Sequence, residues 1–337
     1  MNNNALYKIK NFVFKNANWV FIFALLLFVA IKLPLFFSLS NLMSLGSQIA
    51  VLGIASIGMT LLILTGVTDI SVGQQIYLAG VISVKVYQAT NSMVYATIAA
   101  MLVCGVVGAI NGVLIAKIGL PSMIVTLSMQ QVCNGAASIL IGEESVINVG
   151  NQFSALGSGK LGDVPISVII FLVLFVIGAI ISNRTKFGHY IFAIGNNSDA
   201  VAASGINVFL IREIIFIATG MLAGFAGVIN ASRIGGVQFG MGVKMEFNAI
   251  AAAVVGGTSM QGGRGNMWGT LIGVMIIGSI DQLMRMFNIN VYLYNLVWGL
   301  IVLLTVGCDL IKQKELENEK EHAARLRAIK QEAELSK

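Results

Sequence analysis

The sequence predicts an all-α polytopic membrane protein with about ten transmembrane helices. Composition points that way first: 57% of the 337 residues are hydrophobic, only 11% are charged, and the mean hydropathy is +0.86. A soluble domain carries about a quarter charged residues. The second observation is where the charges fall, because the segment 311–337 alone holds about a third of them. The third is a series of long stretches free of Lys, Arg, Asp and Glu, many close to the roughly 20 residues that cross a hydrocarbon layer.

Residues 1–15 carry Lys8, Lys10 and Lys15 and read as a cytoplasmic N-terminal segment. The apolar run from Trp19 to Ile31 has no small-residue cleavage site after it, so it reads as a retained first span and not as a signal peptide. The charge-free stretches are 16–31, 33–68, 86–116, 118–142, 164–183, 214–232, 247–263, 265–280 and 286–308. Ser38–Asn41, Thr65–Asp69 and Asn91-Ser92 divide the longer ones. Ten spans result, with nine or eleven as alternatives where glycine interrupts the pattern. The transmembrane body is thus 16–310, followed by a charged cytoplasmic tail, 311–337, with the spacing of a solvated helix.

Basic residues orient the bundle. With the N-terminus inside, Lys8, Lys10, Lys15, Lys117, Arg184, Lys186, Arg212, Arg264, Lys312 and Lys314 face the cytoplasm. Lys32, Lys85, Lys160, Arg233, Lys244 and Arg285 face outward. Both termini are then cytoplasmic.

Glycines repeat every three to four positions at Gly105, Gly108 and Gly112 and at Gly220, Gly224 and Gly227. Small residues so spaced let helix backbones approach closely in lipid, and close packing is the reading they receive. Pro34, Pro121 and Pro165 fall near helix starts, where proline is tolerated. Cys104, Cys133 and Cys308 are scattered without ligand spacing, and His189 and His322 are the only histidines, so no metal site or disulfide framework is indicated. Nothing points to nucleic acid as a partner; membrane lipid is the expected surrounding.

Three segments break the apolar pattern. In the first, Leu64 to Gln75, a carboxylate, hydroxyls and two amides stand between apolar stretches. A polar break at membrane depth is tolerated only inside protein or beside a wet cavity. Asp69 either caps the next helix or belongs to a solute pathway. In the second, Glu246 to Asn266, a helix of small apolar residues runs into a Gly-rich loop holding Arg264. The phosphate-binding spacing G-x-x-x-x-G-K-[ST] is absent, and the pair Gly159-Lys160 lacks the upstream glycine, so no P-loop is present and the Gly-rich loop reads as a tight connection. The third, the coupling-loop candidate 184–212, is the longest polar stretch between spans. Asn197 or Ser198 caps a short helix there, Asp199 suits its first turn and Gly205 stops it.

These three segments carry a resemblance. The chain, over about 41–310, resembles the permease subunits of ribose-type ABC sugar importers, a family that includes galactose, xylose, arabinose and autoinducer-2 permeases. The residues concerned are Gly58-Met59-Thr60 through Gly73, Phe187-Gly188 through Asn207, and Ala249 through Ser259 with Gly262-Gly263-Arg264-Gly265. The resemblance implies the ABC importer permease architecture in the bacterial inner membrane. It also implies separate ATP-binding cassette subunits, a periplasmic or lipid-anchored sugar-binding protein, and a second permease subunit, identical or related. No cofactor is bound directly; ATP is used by the partner subunits. By the same resemblance Asp199, Ala200, Gly205 and Ile206 couple the chain to the ATPase, with Phe187 and Gly188 positioning the loop. The family's Glu-Ala-Ala is Asp199-Ala200-Val201 here, its Gly and Pro are Asn196 and Ser198, and its Asp is Asn248.

The implied function is import of a monosaccharide or similar sugar-like solute by alternating access. A neutral sugar calls for hydroxyl and amide partners. Candidates for its path are Asp69, Ser71, Gln74, Gln130, Gln131, Asn134 and Asn248, each of which also suits helix–helix hydrogen bonding. The rival reading is a secondary transporter or channel, which usually carries intramembrane ionisable relays. A membrane enzyme fits least, for want of any His/Cys/carboxylate constellation.

Overall fold

A computed structural model describes residues 37–290 apart from 143–145 and 150–152, and isolated helical positions between 292 and 307. The first expected span, the last one, Cys308 and the C-terminal tail therefore lie largely or wholly outside the described residues. Contacts divide the chain into a body up to Asn288 and a second unit from Ile289 onward.

The body is a helical bundle. Its long helices are α1 (Leu39–Leu64), α2 (Val72–Thr90), α3 (Met93–Gly112), α4 (Ser122–Ile141), α6 (Ile166–Arg184), α9 (Val208–Ile234) and α11 (Met267–Met286). Between them lie the short α5 (Ala155–Ser158), α7 (Lys186–Asn196), α8 (Ser198–Ala203) and α10 (Met245–Val255). A π-helical turn, Val113–Lys117, extends α3. All the long helices except α2 are long and apolar enough to span a membrane, taking α3 with its π turn. The α2 sequence is more polar, and its first half is enclosed by protein: Val72 to Val81 are all buried.

Local chemistry sets the ends of these elements. Ser38, Ser92, Asn197 and Asn207 accept backbone N–H groups at the starts of α1, α3, α8 and α9. Pro121 and Pro165 immediately precede α4 and α6. Asn91 ends α2 in the left-handed region, with φ 51°. One expectation needs correction. The eighth span, read as 247–263, is a helix of only 11 residues, about 16 Å long and half of what the hydrocarbon layer requires. Gly256 and Gly257 end it, the latter at φ 93°, although the residues beyond, to Gly263, remain uncharged.

The two glycine stripes meet. A methyl group at Gly108 would collide with the Phe216 carbonyl, one at Gly220 with the Cys104 carbonyl, and one at Gly224 would stand 2.8 Å from the Ala100 oxygen. Helices α3 and α9 thus pack backbone to backbone, which is how association is achieved where lipid supplies no hydrophobic drive. At Gly227 the neighbour is the Ile76 carbonyl of α2, so α2, α3 and α9 form one close-packed unit.

At the end of the bundle opposite Leu64, strand β1 (Val146–Asn148) pairs antiparallel with β4 (Gly236–Gln238), and β2 (Lys160–Leu161) pairs with β3 (Val164–Pro165). Ser232 Oγ donates to the Phe153 carbonyl at 2.7 Å and accepts the Gly157 amide at 2.8 Å. This ties the connection between α4 and α6 onto the end of α9.

Replacement of Gly108 or Gly220 by valine is expected to lower thermal stability in detergent by about 1–3 kcal/mol through overpacking. Gly135 of α4 has no atom within 4 Å of an added methyl, and Gly135→Ala is expected to stay within about 0.5 kcal/mol. Equal unfolding midpoints for all three variants would contradict the close-packing assignment.

Candidate functional site

Polar side chains inside the body gather on two sides of the first turn of α2. On one side is Asp69, fully buried in the break between α1 and α2. Its Oδ1 accepts the Ser71 amide at 2.8 Å and the Ser71 hydroxyl at 2.5 Å. Its Oδ2 accepts Gln75 Nε2 at 3.2 Å and Asn111 Nδ2 at 3.4 Å. Ser71 Oγ in turn accepts from Gln75 at 2.8 Å and from Asn111 at 3.1 Å. The Asp69 carboxylate therefore holds Ser71, the residue just ahead of α2, and ties the break to α3, while the Ser71 side chain does not cap the first amides of α2 itself. Gln75 and Asn111 complete the knot and were missed by the sequence reading. Asn111 lies 42 residues from Asp69, and only the fold brings it there.

On the other side is Glu246, 2% exposed, in the first turn of α10. Gln130 Nε2 of α4 donates to its Oε1 at 3.0 Å. Its Oε2 sits against Gly73, where any side chain would overlap it. Glu246 was not among the sequence candidates, since its partner is 116 residues away. Asn248, two residues on, and Gln74, beside Gly73, are 5% and 6% exposed. Asn134 is half-buried, whereas Gln131 faces outward from α4 in the middle of a span. Thus Asp69 and Ser71 join one group, Gln130 contacts Glu246, and Gln131 stands on an exposed face.

The chain reaches Glu246 by an irregular path. After α9 ends at Ile234, β4 and a run of turns pass along α2, with Met241 against Gly80 and Gly242 against Gly73 and Tyr77. With 1.5 Å of rise per residue along α2, Gly73 lies about 25 Å from its Thr90 end. Non-helical backbone at such depth must be buried in protein or line water. Phe239, Val243 and Phe247 nevertheless remain 57%, 55% and 42% exposed in the single chain.

A third set of contacts closes the Leu64 end. The Gly263 amide donates to the Leu64 carbonyl at 2.9 Å, Arg212 Nη2 to the Thr65 carbonyl at 3.1 Å, and Asn196 Nδ2 to the Gly263 carbonyl at 3.2 Å. Gly195 packs against both Leu64 and Gly263. Of the loop candidates, Gly188 is buried against the Ser182 carbonyl, and its amide is capped by Thr185 at 3.1 Å; Phe187 is half-buried. Asp199, Ala200 and Gly205 are exposed on or just after α8, and Ile206 is half-buried. Gly205 has φ 82°, the left-handed turn that ends α8.

The profile of a family described as the permease component of the branched-chain amino acid transport system matches residues 41–306. The chain is 33% identical to the ribose import permease of Escherichia coli strain K12, over 91% of this chain and 97% of that protein. The chain belongs to the ribose-type ABC importer permease family. The permease is also 32% identical to the L-arabinose ABC transporter permease of Azospirillum brasilense, over 89% of each chain. Identity to the galactose/methyl galactoside import permease of Escherichia coli is 33%, over 87% of this permease and 93% of the relative. No solved structure matches it. Membership places the permease among multi-pass membrane transport subunits.

The knot yields a prediction for the permease. Asp69→Ala is expected to cost about 2–4 kcal/mol, because it strands buried donors from Ser71, Gln75 and Asn111. Asp69→Asn is expected to cost distinctly less. The free amide oxygens of Gln75 and Asn111 allow both amides to flip and accept from the new Asn Nδ2. Thermal unfolding of the purified variants checks the order.

Proposed function

We propose that this permease forms the membrane path of an inner-membrane importer for a monosaccharide or similar sugar-like solute. Separate ATP-binding subunits drive it by alternating access, and a sugar-binding protein outside the membrane delivers the solute. The relatives named for ribose, arabinose and galactose import support the solute class. The observation that carries the driving mechanism is the seam at the Leu64 end. There the exposed α8, reached through the end of α7, stands one residue from contacts to both α1 and the Gly-rich loop.

In this reading the seam is cytoplasmic. Helix α8 presents Asp199 and Ala200 to a cleft of the ATP-binding subunit, and Gly205 with Ile206 returns the chain to α9. Small residues let the docking surfaces approach closely. Closure of the nucleotide subunits moves α7 and α8 as a unit. Because Asn196 and Gly195 touch the Gly-rich loop and Leu64, the movement passes to α10 and to the break between α1 and α2. Those elements carry the buried polar groups, so force applied at α8 arrives where a polar solute has partners. Amides at Gln74, Gln130, Gln131, Asn134 and Asn248 suit sugar hydroxyls. Asp69 and Ser71, already engaged with each other, serve as the anchor beside the path. The outward Gln131 and the exposed Phe239, Val243 and Phe247 fit a face turned to the path or to the second permease subunit.

The test is reconstitution with the ATP-binding subunits. Ala200→Trp, which blocks close docking, and Gly205→Val, which forbids the left-handed turn, are each expected to reduce ATP-driven ribose uptake by about tenfold or more while leaving the chain folded. Stimulation of ATP hydrolysis by the binding protein is expected to fall with it. Uptake and stimulation at the unmodified level in both variants would refute the coupling role of α8.

A further inference from the structure

The two polar groups beside α2 differ in how firmly they are held. Asp69 makes four hydrogen bonds to three residues. Glu246 accepts a side-chain bond from Gln130 through Oε1 and backbone bonds at Lys244 and at its own amide, all on α10 or its start except the one from Gln130. Its buried Oε2 makes no hydrogen bond among the described residues and rests in the notch left by Gly73. The first is built as an anchor. The second joins three elements, α10, α4 and α2, through a contact that parts when α10 shifts.

Helix α10 is placed to make that shift. It is a rod of 11 residues. At its Val255 end the chain enters the Gly-rich loop, whose Gly262 and Gly263 seat on Gly66, Gly195 and Leu64. Along its length it rides on α11 at the backbone: Gly273 lies against the Ala252 carbonyl and Gly269 against Gly256. At those two points α10 and α11 are joined backbone to backbone, so a pull on the loop is carried by the pair. At its other end stands Glu246, about 25 Å along α2 from Thr90.

We propose that Glu246 and Gln130 form a latch that holds α10 against α4 and α2 and keeps the path shut beside the first turn of α2, released when the Gly-rich loop draws on α10. Both are positioning residues, and Gly73 supplies the seat. The proposal rests on the reading of this chain as a solute path, and its test is independent of the energy source.

The full-length chain is reconstituted in liposomes loaded with labelled ribose, and leak is measured after dilution without ATP or any partner subunit. Gln130→Glu sets two carboxylates face to face in place of the hydrogen bond and is expected to raise leak about tenfold. Glu246→Ala is expected to do the same by removing the acceptor. The double variant Gln130→Glu with Glu246→Gln exchanges donor and acceptor across the same gap and is expected to return leak to the unmodified level. Loss of folding alone cannot produce that recovery, and the amount of monodisperse protein recovered in detergent is recorded for each variant. Unmodified leak in Gln130→Glu, or a double variant as leaky as the single, would overturn the latch. Should ATP-driven uptake by the unmodified complex fail in a separate assay, the importer reading falls while the leak comparison still decides the latch.

Discussion

The α1–α2 break buries Leu64, Thr65 and Ser71 inside the bundle, where the last carbonyls of α1 and the first amides of α2 are shut away from water. Each such group has to be met by protein. The Leu64 carbonyl is met by Gly263, the Thr65 carbonyl by Arg212, and the Ser71 amide by Asp69. Three segments far apart in sequence are therefore bound to one place by an unmet backbone requirement. This accounts for the glycines at 195, 262 and 263 better than flexibility does. Only without side chains do these backbones come close enough for the Gly263 amide to reach α1.

Around that point the body divides into a stiff part and a looser one. Helices α2, α3 and α9 touch through backbone at glycine, leaving no rotamers to adjust, and packed interiors of this kind do not deform continuously. The path from Ile234 through β4 and the turns to α10 has no such continuity. It holds α2 through Met241, Gly242 and Glu246, one contact at a time. Side chains with polar function lie at the boundary between the two parts, which is where relative movement is felt.

Much of this was legible in the sequence, for local reasons. The break at Thr65–Asp69, the end of α2 at Asn91, the cap at Asn197 and the turn at Gly205 each follow from a residue acting on its own backbone. The glycine stripes announced close packing because their spacing is the helical repeat itself. What the sequence concealed is non-local. The Gly-rich run after Val255 announced a loop, but absence of charge from Gly256 to Gly262 left the length of the span undecided until the backbone angles showed where α10 stops. Glu246 looked isolated because its partner belongs to a helix more than a hundred residues earlier. Gln75 stood in the polar break without a role, and Asn111 resembled an ordinary span residue, until Asp69 was seen to need their amides. The strand pairing of Val146–Asn148 with Gly236–Gln238 joins two loops far apart in sequence, and only the first, Val146-Ile147-Asn148-Val149, is rich in β-branched residues.

The same geometry bears on why a body without a nucleotide motif is suited to be worked from one end. Displacement of α7 is not absorbed where it begins, because Gly195 and Asn196 touch α1 and the Gly-rich loop together. Helix α1 is held in turn by Arg212 of α9, so the displacement meets a fixed wall on one side. On the other it meets α10, which is short and is tied to the seam only through the Gly-rich loop. Unequal resistance turns a single push into relative motion between α10 and the α2–α3–α9 unit. Asp69, with four bonds, keeps the start of α2 on the fixed side of that motion, and Glu246, with a lighter hold, stands on the moving side. The distance across the first turn of α2 is the one that changes, and it changes beside the buried amides of Gln74, Gln130 and Asn248.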